Sequence, residues 1–157
     1  MDLDRQELRL LTNGRVKERF SVSTGVRGAG EEMGSGCTPR GMHRIRLKIG
    51  AGCPENSVFV GRRATGEIYS AHLGHEHPER DWILTRIIWL TGCEPGQNRG
   101  GSVDTLRRFI YIHGTPESEP MGVAASHGCI RMRNTDLLRL FEMVDVGTPV
   151  DIRESFR

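Results

Sequence analysis

Glycine punctuates this chain more than any other residue type shapes it. Twenty glycines are spread over 157 residues, and the apolar residues between them fall in short runs. Such a chain is poorly suited to long helices, because each interior glycine costs about 1 kcal/mol relative to alanine. It is well suited to short strands joined by turns, where positive φ is needed and glycine supplies it. The pattern predicts many turns and a mostly β fold.

The runs can be placed one by one. Leu8 and Leu10 alternate with polar residues, Asn13-Gly14 follows, and Val16, Phe20 and Val22 then share one parity. Asn-Gly between two such runs predicts a hairpin, since both residues tolerate φ > 0. Residues 25–36 read as loop, and Thr38-Pro39-Arg40-Gly41 reads as a β-turn with proline at its second position. Ile45, Leu47 and Ile49 alternate with Arg44, Arg46 and Lys48, the mark of a half-buried strand. Val58-Phe59-Val60 is a short strand. Residues 61–80 are polar, carry His72, His75 and His77, and read as an exposed excursion. Residues 82–90 and 109–112 are apolar β-rich runs. The second is apolar on both faces, as a central strand should be, and it delivers His113 to the sheet edge. Asn134 is a candidate helix N-cap, followed by the stripe Leu137, Leu138, Phe141 and Val144, with Gly147 and Pro149 as stops. Val150 and Ile152 suggest a closing strand. The expected whole is one domain over residues 1–157, with one main helix.

Bulk properties exclude several classes. The net charge is +2, and no basic run is interleaved with aromatics, so nucleic acid is not an expected partner. No segment has the length of a transmembrane helix, so no membrane association is expected. The polar start, Met1-Asp2-Leu3-Asp4-Arg5, lacks the features of a signal peptide. A cytoplasmic location is therefore expected if residue 1 is the natural start, and a periplasmic one is open if it is not. The four cysteines, Cys37, Cys53, Cys93 and Cys129, form no C-x-x-C pair, which argues against a zinc ribbon or a thioredoxin-type site. A working thiol at Cys129 would leave three, too few for full pairing, and that fits a reducing compartment.

The chemistry gathers in two segments. His113 ends the central apolar run, and Ser126-His127-Gly128-Cys129 precedes the predicted helix. A cysteine beside glycine in a strand-to-helix turn, with histidines in reach, can form an activated nucleophile: the imidazole raises the thiolate fraction. Gly128 would let the main chain approach a reacting carbonyl without a Cβ in the way. His127 either takes a direct part or positions the loop. His72, His75 and His77 could be read as a metal site, but the segment is polar and offers no cysteine, so no metal and no cofactor is expected.

Ile112-His113-Gly114-Thr115-Pro116 and Ser126-His127-Gly128-Cys129-Ile130-Arg131-Met132 together resemble the YkuD-type L,D-transpeptidase catalytic domain. Val22-Ser23-Thr24-Gly25, Thr38-Pro39-x-Gly41 and Gly147-Thr148-Pro149-Val150 extend the resemblance over nearly the whole chain. The resemblance implies a β-sandwich of mixed sheets. It also implies attack by a cysteine on peptidoglycan stem peptides, at the carbonyl of the third residue, with loss of the terminal D-alanine. By position, Cys129 would be the nucleophile and His113 the base, its other nitrogen held by a main-chain carbonyl near Gly114. The N–H of Cys129 and its neighbours, Gly128 among them, would form the oxyanion hole. Arg131 would contact substrate or brace the loop, with Ser126 and Tyr111 also on the substrate side. Carbapenem β-lactams are the inhibitors implied.

The acyl-enzyme can be resolved by water, making an L,D-carboxypeptidase of muropeptide recycling, or by an amine, making a cross-linking or exchange enzyme. The short chain without a recognisable leader favours water, and the motif itself favours neither. A zinc hydrolase built on the histidine cluster, or a binding module that never forms an acyl-enzyme, are the other classes. Both predict that Cys129 is dispensable for chemistry.

Overall fold

The computed structural model describes residues 1–157. The elements are β1 (Glu7–Thr12), β2 (Arg15–Ser23), β3 (Gly41–Ile49), β4 (Ser57–Val60), β5 (Arg63–Ile68), α1 (Ala71–Glu76), β6 (Ile83–Gly92), β7 (Tyr111–Gly114), β8 (Ile130–Met132), α2 (Asn134–Met143) and β9 (Pro149–Ile152). The main path of the sheet runs β1-β2-β8-β7-β6-β3-β9, with β4 also paired to β6 and carrying β5. Only β7 and β8 run parallel. Parallel neighbours cannot be joined by a tight hairpin, so a long crossover, residues 115–129, leads from His113 to Cys129.

The sheet curls until its ends meet. Leu3 N–H donates to Arg153 O at 2.9 Å and Arg153 N–H to Met1 O at 3.0 Å, tying the chain's start to the continuation of β9. Inside lies one core, built by Leu8, Phe20, Val22, Ile88, Leu90, Ile112, Ile130 and Met132 from the strands and Leu137, Leu140, Phe141 and Val144 from α2 and its end. A buried leucine or isoleucine here costs about 2–5 kcal/mol to truncate to alanine. The opposite faces of β6 and β7 carry Ile87 and Tyr111, which pack with Phe59 from β4; Trp89 and Cys129 lie against them. The central strands are thus buried on both sides, one side by α2 and the other around Cys129.

Most predicted elements form where expected. Asn13 and Gly14 take φ of +52 and +75 and join β1 to β2, with Thr12 opposite Arg15. Five expectations need correction. Thr38–Gly41 is not a turn: Thr38 bridges Ala29 and Gly41 opens β3, because the fixed φ of Pro39 suits extended chain as well as a turn. The alternation of β3 breaks between Ile45 and Leu47, where the register shifts; Ile45 is buried while Leu47 is 40% exposed. Residues 61–80 are not a plain loop, since they hold β5 and α1. Asn134 is the first residue of α2 rather than its cap, the capping position being Arg133. Its amide turns inward, donating to Thr115 O at 3.0 Å and accepting from Thr85 Oγ1 at 2.7 Å. A buried polar network claims that side chain before the helix N–H groups can. The core stripe of α2 uses Leu140, and Leu138 is only half-buried. No helix is long and apolar enough to cross a membrane.

Candidate active site

Cys129 stands immediately before β8, so a three-residue strand separates it from α2 and the site is a loop-to-strand junction, not a strand-to-helix turn. Parallel pairing sets Ile112 opposite Ile130 and His113 opposite Arg131. This register brings Cys129 beside Tyr111. The Tyr111 N–H donates to Sγ at 3.3 Å, and the thiol donates to Phe109 O at 3.2 Å. Phe109 adopts φ +57, an uncommon conformation for an aromatic residue, and it is what turns that carbonyl toward the thiol. Burial pushes the Cys129 thiol up to about 11, although the Tyr111 N–H pulls the other way.

His113 is 2% exposed. Its Nδ1 lies 2.7 Å from the carbonyl oxygen of Gly114. A carbonyl only accepts, so Nδ1 carries the hydrogen and Nε2 is left with its lone pair. Burial holds the imidazole below its ordinary value of 6.5, with the Gly114 bond opposing. Burial thus favours the uncharged form of both groups, the thiol of Cys129 and the imidazole of His113. They line one cavity of about 270 Å³, together with Arg62, Asp81, Phe109, Tyr111, Ser126, His127 and Arg131. No hydrogen bond joins thiol to imidazole in this resting geometry; such contacts tighten when substrate binds.

The turn before the cysteine is braced from below. Ser126 Oγ donates to Cys129 O at 2.5 Å and accepts from Gly128 N–H at 3.2 Å, so its hydroxyl holds the loop's own backbone. Thr38 Oγ1 donates to Gly128 O and accepts from Gly25 N–H, both at 2.9 Å. Gly128 has φ +124, and a Cβ there would stand 3.0 Å from Cys37 O. Its first constraint is thus the backbone conformation and the loop beneath it, not the approach of a reacting carbonyl. The N–H groups of Cys129 and His127 make no hydrogen bond within the protein. Each N–H aimed at a developing oxyanion is worth about 3–4 kcal/mol in the transition state.

Arg131 is held on the protein side. Its guanidinium lies 3.3 Å from both Asp81 and Glu119 and donates to Ala125 O at 3.1 Å. Of the two roles open to it, the geometry matches bracing of the loop. The His127 side chain is 78% exposed, with Nδ1 3.9 Å from Asp81. Tyr111 lines the wall, and its hydroxyl accepts from Arg62 at 3.2 Å. Asp81, Arg62 and the Phe109 carbonyl had no mark in the linear sequence, because none falls in a motif and all three arrive through strand pairing and hairpin geometry. Thr38 lay within a matched motif without a distinct role. His72, His75 and His77 lie on and just after α1, where His72 meets Glu76 and His77 meets Glu79. No group of three or more potential ligands is placed to hold a metal ion.

A crossover thus sets a buried histidine, with Nδ1 fixed on its neighbour's carbonyl, into one cavity with a cysteine on a braced glycine turn. The chain belongs to the YkuD family, the L,D-transpeptidase catalytic domain, whose pattern matches residues 1–152. A Bacillus subtilis (strain 168) protein named as the L,D-transpeptidase YqjB is 44% identical over 151 residues, 96% of this chain and 68% of that protein. The Salmonella typhimurium L,D-transpeptidase ErfK/SrfK is 49% identical over 123 residues, 73% of this chain and 39% of that protein. The chain spans only 15% of the length of Escherichia coli (strain K12) YbiS, to which it is 51% identical over 45 residues. Among solved structures, the L,D-transpeptidase of Xylanimonas cellulosilytica superposes with a TM-score of 0.61 at 22% identity, covering 98% of this chain and 58% of that one. The catalytic domain of the Enterococcus faecium enzyme gives 0.55 at 19% identity, covering 98% and 93%. These likenesses establish a mostly β L,D-transpeptidase fold.

Proposed function

We propose that this chain is the catalytic unit of a cysteine enzyme that acylates itself with a peptidoglycan stem tetrapeptide. Cys129 Sγ attacks the carbonyl of the third residue, at the L-centre of diaminopimelate, as His113 Nε2 takes the thiol proton. The oxyanion forms against the N–H groups of Cys129 and His127. Collapse passes the proton from His113 to the departing amine, and D-alanine leaves a thioester on Cys129. The observation that carries this reading is one cavity shared by the Cys129 thiol and an imidazole whose Nδ1 is committed to Gly114 O.

The thioester then meets an amine or water. Asp81 borders the cavity beside His127, but it is paired with Arg131 and gives an amine acceptor no free charge to approach. The hydrolytic, L,D-carboxypeptidase reading rests on the small open cavity, which suits a single donor strand. Carbapenems are proposed as acylating inhibitors, supported by the Enterococcus faecium catalytic domain acylated by ertapenem.

Mass spectrometry of the protein with a tetrapeptide stem, with and without a D-amino acid acceptor, tests the reading. Exchange products that need Cys129 support transfer, and acceptor-independent loss of D-alanine supports hydrolysis. Turnover by Cys129→Ala would overturn the acyl-enzyme.

A further inference from the structure

Arg62 occupies the tip of the β4–β5 hairpin. Gly61 and Arg62 take φ of +55 and +64, and this tight turn carries the guanidinium into the same cavity as Cys129. There it lies 5.2 Å from the ring centre of Trp89 and 4.8 Å from that of Phe109, and donates to the Tyr111 hydroxyl at 3.2 Å. Arg131, the other arginine of the cavity, is neutralised by Asp81 and Glu119. Arg62 pairs with no carboxylate of the chain, and its hydrogen bond to Tyr111 uses one of five N–H donors. A planar cation steadied by aromatic faces, with most of its donors free beside a nucleophile, is built to receive a carboxylate brought by a ligand.

Tyr111 measures where that carboxylate must be. Its main-chain N–H touches Cys129 Sγ and its hydroxyl touches Arg62. From main-chain nitrogen to hydroxyl a tyrosine reaches about 7 Å, the span of two extended residues. The carboxylate of the terminal D-alanine stands one residue from the scissile carbonyl, about 3.5 Å, which is too near. The distal carboxylate of a diaminopimelate side chain ends roughly twice as far away.

We propose that Arg62 forms a carboxylate subsite for the acyl donor and takes the distal carboxylate of its third residue. This assignment rests on the function proposed above. Arg62 is a specificity determinant here and takes no part in bond making.

The test uses two tetrapeptide donors that differ only in that carboxylate, one free and one amidated, with D-alanine release followed by mass spectrometry. The expected result is a preference in kcat/KM for the free acid of about tenfold to a hundredfold. Arg62→Gln should bring the ratio to about one by weakening the acid donor while the amide donor is little changed, and Arg62→Lys should fall between. The same donors binding to Cys129→Ala, with and without Arg62→Gln, read the subsite without turnover. Absence of D-alanine release from either donor, with the binding preference intact, would sink the proposed reaction and leave the subsite standing. Equal loss on both donors would overturn the subsite. So would a third donor, amidated only at the terminal D-alanine, whose loss depended on Arg62 in place of the distal amide's.

Discussion

His113 is locked to its own chain neighbour: its Nδ1 lies 2.7 Å from the carbonyl oxygen of Gly114. The bond fixes both the ring plane and the tautomer, so Nε2 is the nitrogen presented to the cavity. Since burial holds His113 below 6.5, the neutral base persists into mildly acidic solution. The acylation rate is expected to hold at neutral pH and to fall only as pH drops through a midpoint below 6.5. With the thiol pushed up to about 11, alkylation of Cys129 by iodoacetamide should keep rising with pH well past 9. A plateau of the alkylation rate near pH 7 would mean a preformed thiolate and would contradict the neutral pair.

Gly114 has no room for a side chain. A Cβ would fall 2.1 Å from Asn134 Oδ1 and 2.6 Å from Leu84 O. Gly114→Ala must therefore displace either the buried amide or the neighbouring strand, and His113 with it. A destabilisation of about 1–3 kcal/mol is expected, with a far larger loss of acylation rate. Urea denaturation beside a carbapenem acylation assay checks both. Wild-type acylation in this variant would show that the carbonyl of Gly114 does not set the imidazole.

Thr38 is remote in sequence and adjacent in function, because its hydroxyl joins Gly128 O to Gly25 N–H. Thr38→Val keeps the shape and removes both bonds, leaving two buried main-chain groups without a partner. The expected cost is about 1–3 kcal/mol. Acylation should slow while D-alanine donors still bind, since the brace acts on the position of Cys129 and not on substrate. Calorimetric melting and single-turnover kinetics together distinguish this outcome from simple unfolding.

His43 gives a separate handle on acid stability. It is fully buried, with Nδ1 3.0 Å from Gly41 O and Nε2 3.0 Å from Thr105 Oγ1. Burial lowers its pKa from 6.5, opposed first by the hydrogen bond to Gly41 O and then by Glu94, Asp151 and Glu31. The unfolded chain then binds more protons than the folded one below pH 6.5, so stability present above that pH is lost as pH falls through the folded value. Tm should decline on acidification from 6.5, and His43→Asn should flatten that decline. An unchanged slope would assign the acid limb to other groups, His113 first.

The legible parts of this molecule were those written in neighbouring residues. Asn13-Gly14 announces its hairpin because both residues need positive φ, and the Leu137, Phe141 and Val144 spacing announces α2. The cysteine and histidine carry their chemistry in their side chains and stand in compact motifs. What stayed hidden depends on pairing across the sheet. Asn134 has the composition of a cap, yet a buried network with Thr85 and Thr115 outbids the helix terminus for its amide. Arg62 and Asp81 sit in a polar stretch with no periodicity, and only the β4–β5 hairpin and the start of β6 bring them to Cys129. The break in β3 after Ile45 is a register shift, which alternation alone cannot foresee.

The ties from Leu3 to Arg153 and from Arg153 to Met1 join residues 150 or more positions apart in the chain. A ribosome must release Arg153 before that seam can close. Until then the strand that begins at Gly41 waits for β9, and Leu3 N–H and Met1 O wait for Arg153. Contacts so distant along the chain slow folding, because the entropy of closing the loop must be met before they form. The sheet therefore stays open along this edge until β9 is in place, and its closure is a late event in folding.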